Sequence, residues 1–296
     1  MPKGGLTGTT GVLGVIGDPI AHSLSPVMQN AALQALQKDF VYVPFQVNPL
    51  HLQRAIDGVR SLGIRGLNVT IPHKERVMDY LDEVDPVAQL IGAVNTIDNK
   101  VGRLIGYNTD GIGFLRSLRE EARQEPEGKN ITILGAGGAA RAIGFQLALT
   151  CVNRLLIANR TERRAVRLAG EIARGTNCQA EGICLHDVDG SLPSTDILIN
   201  TTSLGMYPEV CSAPPIDLKL LPCHALVCDI VYNPGQTLLL QRATANGLAT
   251  LPGLGMLAYQ GAAALEIWLG ARAPVDIMKA VLREQLMVNG DMDNGI

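Results

Sequence analysis

Ile131-Thr-Ile-Leu134, followed at once by Gly135-Ala-Gly137-Gly138-Ala139-Ala140, is the stretch that decides the fold. An apolar run suited to a buried strand stops at a glycine turn, and a helical pattern from Ala139 to Leu149 begins directly after it. In this G-x-G-x-x-A arrangement Gly135 permits a tight turn, Gly137 lets the backbone approach a ligand closely, and Ala140 lets the helix pack against the strand. A second strand, Leu155 to Ala158, and a second helix, Glu162 to Arg174, complete a βαβ unit. Glycine turns also simply end strands. In this position, however, the pattern predicts a dinucleotide pyrophosphate on the unpaired N–H groups of a helix start, cradled by Gly135, Ala136, Gly137, Gly138 and Ala139.

The corner after the second strand discriminates between dinucleotides, because a carboxylate there accepts from a ribose 2′-hydroxyl and repels a 2′-phosphate. Here the corner reads Ala158-Asn159-Arg160-Thr161 and carries no acidic residue. Arg160 offers a fork of donors, Thr161 a hydroxyl, and Arg164 a second guanidinium one turn further on. NADP is therefore favoured over NAD. The alternative is a solvated helix face of Arg160, Arg163 and Arg164 with Thr161 as its N-cap.

The alternation of short apolar runs with helical patterns extends through nearly the whole chain and predicts an α/β fold with largely parallel sheets. Before the glycine turn, strands fit Val12 to Ile16, Val41 to Phe45 and Gly66 to Thr70, with helices at Pro26 to Lys38, Pro49 to Leu62 and His73 to Leu81. Val94 to Asp98 and Val101 to Tyr107, separated by Asn99 and Lys100, read as an antiparallel hairpin. A helical pattern from Gly111 to Arg123 ends in Gln124 to Asn130, whose breakers Pro126 and Gly128 mark a domain boundary. Later strands fit Ile197 to Asn200 and Leu226 to Ile230, with helices at Thr237 to Ala245, Leu257 to Leu269 and Val275 to Leu286. The polar tail, Asn289 to Ile296, reads as frayed.

Composition narrows the partners. At 296 residues the chain has room for two domains with real cores. A net charge of −3 with scattered Lys and Arg argues against nucleic acid. The N-terminus lacks the unbroken apolar core of a signal peptide, and the apolar stretch Gly253 to Ala271 carries Gln260 and Glu266, so it reads as a buried helix and not a membrane span. The six cysteines form no C-x-x-C, so no metal site is predicted; reduced, buried cysteines in a cytoplasmic protein are expected.

Polar residues collect at the carboxyl ends of the first-half strands. Ser23 and Ser25 flank the start of the first helix, where Ser25 before Pro26 reads as an N-cap and Ser23 as a second hydroxyl from the same turn. Asn68 and Thr70 share one side of a strand, and Lys74 opens the next predicted helix, where the positive dipole end makes a cation unfavourable. Asn95 and Asp110 stand at opposite ends of the hairpin region; singly they read as a turn or strand-edge residue and as the N-cap of the helix beginning at Gly111. Together, hydroxyls, amides, one Lys and one Asp suit a small polyhydroxylated acid.

These motifs make the chain resemble the NADP-dependent shikimate dehydrogenase family over nearly its whole length. The family's S-x-S-P stands at Ser23 to Pro26, N-V-T-x-P-x-K at Asn68 to Lys74, G-A-V-N-T at Gly92 to Thr96 and G-x-N-T-D at Gly106 to Asp110. The turn G-A-G-G-A-A-R-A stands at Gly135 to Ala142 and N-R-T at Asn159 to Thr161. N-x-T-S-x-G-M, D-x-V-Y-x-P and G-x-x-M-L-x-x-Q follow at Asn200 to Met206, Asp229 to Pro234 and Gly253 to Gln260.

The resemblance implies reversible NADPH-dependent reduction of 3-dehydroshikimate to shikimate, on the way to chorismate and the aromatic amino acids. It implies a substrate-binding and catalytic domain over 1–110, completed by C-terminal helices over 254–296, and a Rossmann-type NADP-binding domain over 111–253. Lys74 and Asp110 become the catalytic pair, with Lys74 favoured for proton transfer, although which of the two carries the proton stays open. Ser23 and Ser25 would bind the substrate carboxylate, Thr70, Asn95 and Gln260 the ring hydroxyls, with Tyr232 near the carboxylate end. Asn159, Arg160, Thr161 and Arg164 would face the 2′-phosphate, and the backbone at Ile230 and Gly253 the nicotinamide. Thr201 departs from the alanine common in relatives without an expected effect on chemistry, and the tail after Leu286 is longer and more acidic than the family pattern. Pairing with a second copy as a homodimer stays open, as do an NAD-dependent quinate/shikimate dehydrogenase and a catalytically silent protein on the same fold.

Overall fold

The computed structural model describes residues 5–293, with side chains through Met287. It separates into two compact units, Met1–Thr109 with Ala258–Ile296, and Asp110–Leu257.

The first unit runs β1 (Gly11–Gly17), α1 (Ser25–Ala35), β2 (Phe40–Gln46), α2 (Leu52–Ser61), β3 (Gly66–Val69), β4 (Glu83–Val84), α3 (Pro86–Ile91), β5 (Thr96–Lys100) and β6 (Arg103–Tyr107). Its six strands lie in the order β2-β1-β3-β5-β6-β4, parallel around β1 and antiparallel where β5 meets β3 and β6. Leu52, Ile56 and Val59 recur at helical spacing, so α2 buries one stripe against Leu67, Val69, Ile97 and Leu104 of the sheet.

The second unit runs α4 (Asp110–Glu120), β7 (Asn130–Leu134), α5 (Gly138–Ala148), β8 (Arg154–Asn159), α6 (Glu162–Thr176), β9 (Ala180–Cys184), β10 (Ile197–Asn200), β11 (Leu226–Asp229), α7 (Leu238–Ala245) and β12 (Ala249–Leu251). All its strand pairs are parallel, in the order β12-β11-β10-β7-β8-β9, which is the doubly wound order of dinucleotide-binding folds. Burial on both faces accounts for the continuous apolar runs of β7, β8, β10 and β11. Helix α8 (Leu254–Leu269) then leads back, and from Ala258 it belongs with α9 (Val275–Asp293) to the first unit.

Several expectations need correction. The loop at Gln124 to Asn130 lies inside the second unit, because α4 packs on α5 so closely that a Cβ on Gly111 would meet the Ala142 carbonyl at 2.6 Å. No α-helix spans His73 to Leu81; only a 3-10 helix, Arg76–Tyr80, forms, since the Lys74 carbonyl accepts from Val94 N–H (2.8 Å) and is drawn away from any helical ladder. The hairpin turns at Val101-Gly102 and not at Asn99-Lys100. Asn99 is held in β5 by donating to the Ile64 and Val59 carbonyls (2.9 and 3.2 Å). Helix α9 continues to Asp293, past the predicted end at Leu286, and 294–296 lie outside the described residues. The cysteines are free, but only Cys228 is buried, while Cys151, Cys211 and Cys223 are exposed. The short elements β4, α3, β9 and β12 escape a reading by periodicity.

The sole tryptophan, Trp268 on α8, is 3% exposed and donates from Nε1 to the Ile97 carbonyl (2.9 Å). Its ring packs on β3, where a Cβ on Gly66 would stand 2.2 Å from Nε1. Gly66→Ala is therefore expected to lower unfolding free energy by about 1–3 kcal/mol, the usual result of overpacking a core, with Trp268 emission as reporter. An unchanged denaturation midpoint would contradict this packing.

Candidate active site

In the first unit one hydrogen-bond chain connects Ser23, Ser25 and Asn95. Ser25 is the first residue of α1 and not its N-cap; its N–H donates to Ser23 Oγ (3.3 Å), so the earlier serine performs the turn-closing task. The Ser25 hydroxyl meets the phenol of Tyr42 on β2, and burial pushes that phenol well above its usual pKa. Tyr42 in turn donates to Asn68 Oδ1 (2.7 Å), and Asn68 Nδ2 reaches the Asn95 carbonyl (3.2 Å) and Thr96 Oγ1 (3.1 Å). Asn95 is 3% exposed, and its Oδ1 accepts from Thr109 N–H (2.8 Å) and from the Thr96 and Thr109 hydroxyls (3.0 and 3.1 Å). It is a buried bridge at the edge of β5, in keeping with a strand-edge residue.

Thr70 follows β3, donating its N–H to the Ile16 carbonyl (2.9 Å) while its methyl occupies the space left by Gly17. Lys74 is half-buried in the loop after β3, so the argument from an unfavourable helix dipole lapses. The loop is set instead by the Lys74 carbonyl on Val94 and by His73, whose buried ring donates from Nε2 to the Val47 carbonyl (2.7 Å). Gln260 is half-buried on α8. Asp110, also half-buried, opens α4 in the second unit.

In the second unit the glycine turn lies where β7 and β10 send the chain to opposite sides, the position at which doubly wound sheets bind ligands. Gly135 has φ +108°, and a Cβ on it would stand 2.6 Å from Thr201 Oγ1. Gly137 and Gly138 are exposed with open space where a Cβ would project, and no side chain caps α5, so its first N–H groups face that space together. This arrangement fits a pyrophosphate. Thr201, set aside in the sequence as neutral, donates both N–H (2.9 Å) and Oγ1 (2.7 Å) to the Leu134 carbonyl, while Gly135 N–H donates to Ala158 (2.8 Å); the turn is clamped from both neighbouring strands.

At the corner after β8, Asn159 Nδ2 donates to the Thr161 carbonyl (2.9 Å), and Arg160, Thr161 and Arg164 are exposed. Thr161 occupies the N-cap position of α6 but makes no capping bond through its side chain. Ile230 follows β11, and Gly253 is packed so tightly on it that a Cβ would lie 2.2 Å from the Ile230 carbonyl oxygen. Tyr232 is half-buried, which raises its phenol pKa. Asp229, absent from the predicted site, is 1% exposed and accepts from Asn200 Nδ2 (3.0 Å), Val231 N–H (3.1 Å) and Thr237 Oγ1 (2.7 Å). Its only sequence signal is membership of the D-x-V-Y-x-P motif, and Tyr42 has none.

Three family models match the chain: the shikimate dehydrogenase substrate binding domain over residues 15–97, shikimate/quinate 5-dehydrogenase over 117–207, and the shikimate 5′-dehydrogenase C-terminal domain over 253–283. A shikimate dehydrogenase (NADP(+)) of Desulforamulus reducens is 47% identical over 283 residues, covering 95% of this chain and 97% of its own. The chain belongs to the shikimate dehydrogenase family. A crystal structure of a shikimate dehydrogenase in complex with NADP+ superposes with a TM-score of 0.90 at 46% identity, covering 95% of this chain and 97% of that one. Shikimate 5-dehydrogenase from Listeria monocytogenes, in complex with shikimate and NAD, gives a TM-score of 0.89 at 40% identity over 94% of this chain and 98% of that one. The shikimate dehydrogenase models take in Ser23, Ser25, Thr70, Lys74, Asn95, the glycine turn, the Asn159 to Thr161 corner and Gln260, whereas Asp110, Asp229, Ile230 and Tyr232 lie outside the matched ranges.

Burial outweighs the three donors on Asp229 and pushes its carboxyl from 3.8 up to about 6. Between those values the folded state holds a proton that the unfolded chain has released, so this group's contribution to stability falls as pH rises through the window. The fall is on the order of 3 kcal/mol at about 1.4 kcal/mol per pKa unit. Denaturation midpoints measured from pH 4 to 7 should show this decline in the native protein and lose it in Asp229→Asn.

Proposed function

We propose that this chain catalyses the reversible NADPH-dependent reduction of 3-dehydroshikimate to shikimate, as a cytoplasmic enzyme of chorismate and aromatic amino acid biosynthesis. The observation that carries the reading is the uncapped, glycine-lined start of α5 in a chain that also holds the complete polar set of the substrate-binding motifs. Among the described residues no helix is long and apolar enough to cross a membrane, in keeping with a small-molecule substrate handled in solution.

The nicotinamide supplies hydride chemistry when bound; the chain supplies the rest. Gly135 to Ala139 hold the pyrophosphate, and Arg160 and Arg164, which form no ion pair among the described residues, offer guanidinium donors to the 2′-phosphate together with Asn159 and Thr161. Ile230 and Gly253 present backbone to the nicotinamide. Ser23 and Ser25 bind the substrate carboxylate, with Tyr232 beside it, and Thr70, Asn95 and Gln260 hold the ring hydroxyls. Oxidation of a secondary alcohol removes a hydride from carbon and a proton from oxygen, so a base must take that proton and return it in the reverse direction. Lys74 Nζ fills that role, with Asp110 as the second member of the catalytic pair.

Purified protein with shikimate and NADP should generate NADPH absorbance, and far less with quinate or with NAD; comparable rates with NAD would refute the 2′-phosphate assignment. Lys74→Ala should lower kcat roughly 10²–10⁴-fold, the usual range for losing a general acid–base, with substrate affinity nearly unchanged. Arg160→Ala should raise KM for NADP about tenfold or more, since hydrogen bonds to charged groups contribute about 1.5–3 kcal/mol, and should leave the weak NAD reaction untouched.

A further inference from the structure

Asp229 is a buried carboxylate with no cation partner among the described residues, an arrangement that lowers stability. Its three acceptor contacts share a pattern. Oδ1 accepts from Asn200 at the end of β10 and from the Val231 N–H, while Oδ2 accepts from Thr237, whose side chain also caps α7 by accepting from Leu240 N–H (3.4 Å). The segment from Asp229 to Thr237 thus begins and ends on one carboxylate, which closes it into a loop. Within that loop lie Ile230 and Tyr232.

The closure is anchored from outside as well. Ile230 N–H donates to the Asn200 carbonyl (3.1 Å), and Asn200 Oδ1 accepts from the Thr202 N–H (3.1 Å) and hydroxyl (2.7 Å). Thr202 adjoins Thr201, which clamps the glycine turn through Leu134. Only a carboxylate can accept from all three donors; an amide of the same shape turns one acceptor into a donor facing Thr237.

We propose that Asp229 is a positioning residue, which holds the Ile230 backbone and Tyr232 in place for the nicotinamide end of the cofactor. The inference rests on the cofactor reading above. It predicts a division between the two ends of the dinucleotide: the adenosine 2′-phosphate end is bound by the turn and the Arg160 corner, which Asp229 does not touch.

Adenosine 2′,5′-bisphosphate and NADPH titrated calorimetrically against native protein, Asp229→Asn and Thr237→Val separate these ends. Asp229→Asn relieves a buried charge and is expected to fold. NADPH should weaken about tenfold in Asp229→Asn and severalfold in Thr237→Val, with kcat for shikimate reduced, while adenosine 2′,5′-bisphosphate stays within twofold of native. Unchanged NADPH affinity in both variants overturns the proposal, and so does equal weakening of both ligands, which marks a general loss of the unit. Failure of the native protein to bind adenosine 2′,5′-bisphosphate overturns the cofactor reading and the proposal with it, an outcome recognisable before any variant is made.

Discussion

A parallel sheet whose crossovers pass to both faces must part somewhere, and at that parting two neighbouring strands leave their carboxyl ends uncovered. In the second unit this occurs between β7 and β10, and the surrounding residues answer to it. Gly135 is glycine because the chain turns there at φ +108° against Thr201, and Gly137 and Gly138 keep open the space that the turn faces. Asn200, at the end of β10, links the same edge to Asp229 at the end of β11. The polar groups left by the sheet's geometry are thus mostly occupied with one another, and the N–H groups at the start of α5 remain directed outward.

The first unit solves a related problem with side chains in place of a helix start. Ser25, Tyr42, Asn68, Thr96 and Asn95 form a chain of donors and acceptors that crosses β2, β3 and β5. Such buried networks fix orientation because each member left without a partner would cost more than the bond it forms. The orientations of Ser25 and Asn95 are therefore set by Tyr42, Asn68 and Thr96.

The α/β class and the family were legible in the sequence because they rest on local pattern: apolar runs, a glycine turn, and short motifs in a fixed order. The corner after β8 was legible too, as a stretch without a carboxylate in which Arg160 stands exposed. What escaped depended on bonds between distant residues. Tyr42 looked like an ordinary strand residue, since its meaning lies in Asn68, and Asp229 looked like a motif letter, since its meaning lies in Asn200 and Thr237. Periodicity suggested a helix from His73, but a single bond from Val94 to the Lys74 carbonyl prevents it. Asn99 resembled a turn residue until its amide was found occupied by the Ile64 and Val59 carbonyls.

Trp268 lies on β3, yet the two are separated in the chain by the entire second unit. During synthesis at about 5–20 residues per second, the strands of the first unit leave the ribosome roughly 10–30 s before the residue that covers Gly66 exists. The inserted unit, whose strands are all contiguous, can close in that interval, whereas the unit that begins first finishes last. The apolar floor of β3 is consequently the surface this nascent chain must keep from its neighbours, and the order of completion is built into the covalent route rather than into relative stability.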